Sequence, residues 1–173
     1  MSKTEENIKA AFAGESQARN KYTYFAEVAR QEGYPYIAKI FEETAENEKE
    51  HARDHFKLLK GIGTTVENLE AAISGEHYET VEMYPTCAKE AEEEGNQEAA
   101  LLFKMIGKIE EKHRERYKRL LEMVKNDTVF KREQPIKWKC SVCGYIVEGT
   151  EPPPKCPSCK NPKELYEPAS LDL

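Results

Sequence analysis

Apolar residues recur with a helical period from the N-terminus to about Lys125. After Thr4-x-x-Asn7, the residues Ile8, Ala11, Phe12, Ala18, Tyr22, Phe25 and Ala29 share one side of a helix, and the pattern stops at Glu32-Gly33. Glycine suits the left-handed residue that closes a helix. Tyr34-Pro35 opens a second helix, because proline is tolerated in a first turn, and that helix runs to about Lys60, before Gly61-Ile62-Gly63. Thr64-x-x-Glu67 reads as a capping box. It predicts a third helix that starts near Thr65 to Asn68 and ends at Glu94-Gly95, with Gly75 and Pro85 in its interior, where both are unfavourable. A fourth helix spans about Gln97 to Val124 or Lys125. The period then lapses. Residues 127–137, with Pro135, read as a linker, and from Trp138 onward Cys, Gly and Pro displace the helix formers.

The helical part repeats itself. Aligned without gaps 62 residues apart, Ala26, Ala29, Glu32, Gly33, Ala38, Phe41, Glu48 and His51 meet Ala88, Ala91, Glu94, Gly95, Ala100, Phe103, Glu110 and His113. Small and large packing positions match, as two similar helical hairpins require. Upstream, Gly14-Glu15 and Tyr22 meet Gly75-Glu76 and Tyr84, but the second copy carries one extra residue near an extra acid, Glu79. A π-bulge between His77 and Tyr84 would absorb it, and such bulges commonly mark functional sites.

Each hairpin contains E-x-x-H: Glu48 with His51, and Glu110 with His113. Residues three apart share a helix face. One such motif in a Glu-rich chain would read as a solvated face. Two in register, each preceded by Gly-Glu, form the ligand set of a carboxylate-bridged dimetal site in a ferritin-like bundle. The candidate ligands are Glu15, Glu48, His51, Glu76, Glu79, Glu110 and His113. Hard carboxylates that can bridge, with neutral imidazoles, suit two iron ions. Glu82 falls on the far side of Glu79 and reads as a surface acid, or as one beside the ligands. Tyr22 and Tyr84 lie on the ligand face, where they either donate hydrogen bonds to ligand carboxylates or pack as core aromatics. His55 and His77 read as exposed or neighbouring residues rather than ligands, and Cys87 as a small buried hydrophobe.

Composition narrows the class. At 173 residues there is room for one ordinary domain and a small one. A net charge of −6, with Lys and Arg interspersed among Glu, argues against a nucleic-acid surface. No apolar run approaches a membrane span, and the first residues lack a secretory signal, so a cytoplasmic protein is expected. There are five cysteines. Four of them, Cys140, Cys143, Cys156 and Cys159, form C-x₂-C-x₁₂-C-x₂-C, a strong tetrahedral metal signature. Spacing alone does not separate zinc from a single iron. Trp138, Gly144-Tyr145, Cys156-Pro157 and the adjoining dimetal site favour iron, with zinc substitution as the alternative.

The chain resembles the rubrerythrin family over essentially its whole length. The stretches that carry the match are Ala13-Gly14-Glu15-Ser16-Gln17-Ala18-Arg19, Glu48-x-x-His51, Gly75-Glu76-x-x-Glu79 followed by Met83-Tyr84-Pro85, Glu110-x-x-His113 and the four cysteines. The resemblance implies a mainly α chain: a ferritin-like four-helix domain over residues 1–126, a linker, and a rubredoxin-like iron domain over residues 138–173. It implies a di-iron peroxidase that reduces hydrogen peroxide to water. Electrons would return singly through the tetrathiolate iron centre from an NADH- or NADPH-dependent reductase, often by way of free rubredoxin. It further implies that one iron moves between His51 when reduced and Glu79 when oxidised, and that Tyr22 and Tyr84 assist. A head-to-tail homodimer follows, in which the cysteine module of one chain lies beside the dimetal site of the other. A linker of about 12 residues reaches about 40 Å extended and permits this.

Two other functions compete. A ferroxidase and iron-storage protein would need no cysteine module. A zinc ribbon on an inert bundle would lack the visible absorption of a ferric tetrathiolate. Assembly carries its own expectation. Helices of about 27 residues are about 40 Å long, whereas Gly61 to Glu67 reaches only about 25 Å. If the two hairpins are related by an axis across the bundle, each bundle would therefore pair hairpins from two chains.

Overall fold

A computed structural model describes residues 2–170; residues 1 and 171–173, at the outer edges of the two expected domains, lie outside the described residues. The chain forms two compact units, one ending at Gly63 and one beginning at Thr64.

The first unit is a hairpin of α1 (Lys3–Gln31) and α2 (Pro35–Leu58). Its turn is a Schellman motif: Tyr34 N–H donates to Ala29 O, Gly33 N–H to Arg30 O, and Gly33 takes φ +84°. A side chain at φ > 0 is strained, so glycine fits this position. Where α1 and α2 pack, Ala26, Ala29 and Ala38 form a buried cluster, with Phe41 against them. Alanine here lets the two backbones approach closely.

The second unit opens with α3 (Thr65–Tyr78), started by the expected capping box of Thr64 and Glu67. Glu79–Met83 is a π-helical turn, in which Tyr84 N–H reaches back five residues to Glu79 O. This is where the surplus residue of the second copy was expected. Next come α4 (Tyr84–Glu93) and α5 (Gln97–Lys125). Pro85 sits in the first turn after the bulge, where its missing N–H does least harm. The α4–α5 turn repeats the first one: Asn96 N–H donates to Ala91 O, Gly95 N–H to Glu92 O, and Gly95 has φ +78°.

The duplication extends to packing. Ala88, Ala91 and Ala100 are buried, as are their counterparts Ala26, Ala29 and Ala38. Arg30 pairs with Glu42 across the first hairpin, and Glu92 with Lys104 across the second. These positions match at the same 62-residue offset with their charges exchanged. Where the first hairpin has Ala45 the second has Gly107, and a Cβ there would lie 3.2 Å from that of Tyr84, so a side chain would press on the start of α4.

After α5, three short antiparallel strands, β1 (Ile136–Cys140), β2 (Ile146–Gly149) and β3 (Tyr166–Pro168), form a sheet in the order β2-β1-β3. The first strand thus begins at Ile136. The small core of this sheet is Trp138, Cys140, Cys156 and Tyr166. Among the described residues, no helix is long and apolar enough to cross a membrane.

Candidate metal centres

The expected dimetal ligands fall into two matched groups, one on each hairpin. In the first, Glu15 on α1 meets Glu48 and His51 on α2, with donor atoms within 4.8 Å of one another. His51 Nδ1 lies 2.9 Å from Glu48 Oε2, one helical turn away. In the second, Glu76 on α3 meets Glu110 and His113 on α5 within the same limit. There, His113 Nδ1 is 2.6 Å from Glu110 Oε2 and 3.7 Å from Glu76 Oε2.

These acids are poorly suited to a site without a cation. The side chains of Glu48, Glu76 and Glu110 are only 17%, 18% and 14% exposed. Carboxylates removed from water are costly unless paired or bound to metal. Glu48 pushes the Glu15 carboxyl above its usual range, and burial adds to this. Glu48, beside Glu15 and His51, is held below its usual range. Burial and the charge of Glu110 raise Glu76. Its buried Oε2 has no hydrogen-bond partner. An unsatisfied anionic oxygen beside an imidazole and a second carboxylate fits a bound cation.

Glu79 stands outside both three-residue groups. It opens the π turn, and its charge bears on both Glu76 and Tyr84. Burial, then the charges of Glu110 and Glu79, push the Tyr84 phenol up, so it keeps its proton at neutral pH. The Tyr84 ring packs 6.2 Å from that of Phe103. Tyr22 lies among aromatics, 6.2 Å from Phe25 and 6.1 Å from Phe41. His77 is exposed and lies 2.9 Å from an Arg114 guanidinium nitrogen, Glu82 is exposed, and His55 and Cys87 are half-buried. The exchanged ion pairs, Arg30–Glu42 and Glu92–Lys104, went unseen in the sequence because the matching positions carry opposite charges.

The four module cysteines come together as their spacing requires. Cys140 Sγ lies 3.7 Å from Cys159 Sγ, and Cys143 Sγ 3.7 Å from Cys156 Sγ. A disulfide would hold sulfurs at about 2.05 Å. A tetrahedron with metal–sulfur bonds of about 2.3 Å has edges of about 3.8 Å, which these distances fit. Two equivalent turns present the thiols. Gly144 N–H donates to Cys140 O and Lys160 N–H to Cys156 O, with Gly144 and Lys160 at φ +75° and +63°. Burial opposes ionisation of Cys156, but the Cys159 and Ser158 amides and the Tyr166 hydroxyl bring it down to about 6. At Cys143 the Tyr145 amide pulls down, yet burial and the neighbouring sulfurs push it up to about 11. Asn161 Nδ2 donates to Cys159 Sγ at 3.2 Å. Such donors stabilise thiolate charge and tune a redox metal.

Comparison with known proteins agrees with this geometry. The rubrerythrin family model matches residues 6–121, and the model of the rubrerythrin rubredoxin-like domain matches residues 138–167. The chain is 47% identical to rubrerythrin of Porphyromonas gingivalis, covering 96% of this chain and 90% of that one. It is 46% identical to rubrerythrin of Nitratidesulfovibrio vulgaris, over 96% of this chain and 94% of that one. Nigerythrin of the latter organism is 36% identical, over 94% and 85%. The family implies a di-iron site and a rubredoxin-like iron site with four cysteine ligands, and the two Glu/His groups and the four cysteines supply donors for both. Two matched helical hairpins, followed by a small sheet with four gathered thiols, form a mainly helical chain of the ferritin-like type with a rubredoxin-like domain. By its sequence over nearly its whole length, and by the donors it gathers, this chain belongs to the rubrerythrin family.

Proposed function

We propose that this chain reduces hydrogen peroxide to water and protects a cytoplasm from oxidative stress. Its electrons come through the rubredoxin-like centre from an NAD(P)H-dependent reductase, directly or through rubredoxin. The observation that carries this reading is the coexistence of two matched Glu/His half-sites and a four-cysteine cluster in one chain. An iron store needs the first, whereas electron delivery needs both.

When bound, the iron pair supplies the two electrons that split the peroxide O–O bond. The protein's own part is to hold charge and protons. Glu15, Glu48 and His51 in the first group, and Glu76, Glu110 and His113 in the second, would hold iron and neutralise its charge. Tyr84 keeps its phenolic proton, and we read it as a hydrogen-bond donor to a carboxylate or a peroxide oxygen. Tyr22, two turns after Glu15 on α1 and packed on Phe41, is the second phenol we read as assisting. Glu79 and His51 would offer alternative ligands to one iron. Opening the π turn places Glu79 on a locally widened helix, free of the strict register that holds Glu76.

Anaerobic reduction of the iron-loaded protein followed by peroxide or O₂ tests the reading. Oxidation of the dimetal chromophore by peroxide should far outpace oxidation by O₂. Equal or faster reaction with O₂ would instead indicate a ferroxidase. Glu79→Ala should slow peroxide turnover at least about tenfold, the lower end of what losing a group that tunes a metal site costs, with the helical circular dichroism unchanged. Wild-type turnover would remove Glu79 from the mechanism.

We further propose a homodimer whose bundles exchange hairpins. The seven Cα steps from Leu58 to Thr65 reach about 25 Å at most. The 24 residues of α2 run about 36 Å. Both hairpins expose apolar side chains that need cover: Tyr24, Phe25, Val28, Ile37 and Ile40 on the first, and Leu101, Leu102, Met105 and Ile109 on the second.

A further inference from the structure

The segment after α5 looks like a plain tether in the sequence, yet it is folded. α5 also ends in a Schellman turn, closed by Asp127 at φ +53°, with Thr128 N–H donating to Met123 O and Asp127 N–H to Val124 O. Lys131 N–H then bonds to Thr128 O, and its ammonium pairs with Asp127 at 2.7 Å. The next residue, Arg132, joins this turn to the cysteine module in three ways. Its backbone N–H donates to Thr150 O, just beyond β2. One guanidinium nitrogen donates to the carbonyls of Lys131, Thr128 and Val129, at 2.7, 3.0 and 3.4 Å. The same guanidinium lies 5.2 Å above the ring of Trp138.

Trp138 is an unusual surface to grip. It is fully buried, packs with Cys140 and Cys156, and donates its indole N–H to Gly149 O. Gly149 and Thr150 therefore receive, in turn, the Trp138 side chain and the Arg132 backbone. A guanidinium over an indole face is a favourable cation–π contact, stronger where water is excluded. The planar fork also lets Arg132 satisfy otherwise open carbonyls after the helix end while stacked. An apolar cavity of about 240 Å³ adjoins this joint, lined among others by Leu120, Met123, Phe130, Arg132, Tyr166 and Pro168.

We infer that Arg132 is a positioning residue: it clasps the turn after α5 to Trp138 and so fixes the orientation in which the tetrathiolate centre is carried. A free tether of this length would let the thiol cluster sample many distances from any acceptor. The clasp confines it to one. The consequence for electron passage rests on the peroxidase reading above; the clasp itself does not.

The test uses the full-length, iron-loaded protein and two variants, Arg132→Ala and Arg132→Lys. Hydrogen exchange of the amides in residues 126–137 should accelerate roughly tenfold in Arg132→Ala, as local opening becomes easier. The ferric tetrathiolate spectrum and its midpoint potential should stay as in wild type, showing that the metal site is intact. Passage of electrons from that centre to the dimetal centre, followed by stopped flow, should slow several-fold. Arg132→Lys keeps the charge but loses the fork, so it should recover only part of both effects. Unchanged exchange in Arg132→Ala, or full recovery by lysine, would overturn the clasp. Faster exchange with undiminished electron passage would overturn its positioning role. If wild type fails to reduce peroxide at all, the exchange result still decides the clasp.

Discussion

Replacing Glu48 with glutamine should stabilise the metal-free protein and abolish most of the stabilisation that iron confers. In the folded chain, Glu15 and Glu48 stand side by side with His51, and Glu48 raises the Glu15 carboxyl. An acid whose folded pKa lies above its unfolded value opposes folding wherever both forms are ionised. The opposition is full above the folded value and fades as pH falls through it towards the unfolded value. The glutamine removes one of the two like charges and keeps both hydrogen-bonding partners within reach. The metal-free variant should therefore melt a few degrees above metal-free wild type at neutral pH. That gap should close as pH drops into the carboxylate range. With iron the order reverses, since a neutral amide is a poor ligand for a hard cation. Metal affinity should fall by at least about 100-fold, beyond the usual cost of losing a hydrogen-bond partner of a ligand. Calorimetry on stripped and loaded samples reads both signs. A metal-free variant less stable than metal-free wild type would mean that the acids are held by structure alone and not strained for a cation.

The same physics explains what the sequence disclosed. Ligands that must converge from separate helices need fixed spacing, so Glu48-x-x-His51 and Glu110-x-x-His113 stand out, as do the cysteine pairs. Glycines at φ > 0 have few substitutes, so Gly33 and Gly95 marked the hairpin turns. The surplus residue before Tyr84 had to distort a helix, and it does so at Glu79–Met83. What stayed hidden depends on partners distant in sequence. Asp127 takes a left-handed conformation that its identity only weakly suggests. Arg132 is one of many basic residues until Trp138 is known to lie beneath it. Glu79 and Glu82 are told apart in the sequence only by their angle around the helix, and the π turn opens at Glu79. Tyr22 could have served either as donor or as packing, and its ring lies against Phe25 and Phe41.

Two inactive variants should restore each other's activity. Glu48→Gln breaks the half-site on the first hairpin, and Glu110→Gln breaks the matching half-site on the second. Each alone should lose at least about 100-fold in peroxide turnover, because a metal site short of one ligand loses positioning as well as affinity. If bundles exchange hairpins, each centre takes its first half-site from one chain and its second from the other. A mixed dimer then gathers both damaged half-sites into one centre and leaves the other centre intact. Random pairing of two variants gives about half mixed dimers, each with one good centre of two, so co-expression should return about a quarter of wild-type activity. In a dimer without exchange, every centre keeps one damaged half and activity stays near that of the single variants. The measurement is peroxide consumption per iron in the co-expressed sample, against the two variants mixed only after folding. Recovery confined to the co-expressed sample establishes that each centre is built from two chains. Activity no higher than that of the single variants would assign all four helices of each centre to a single chain.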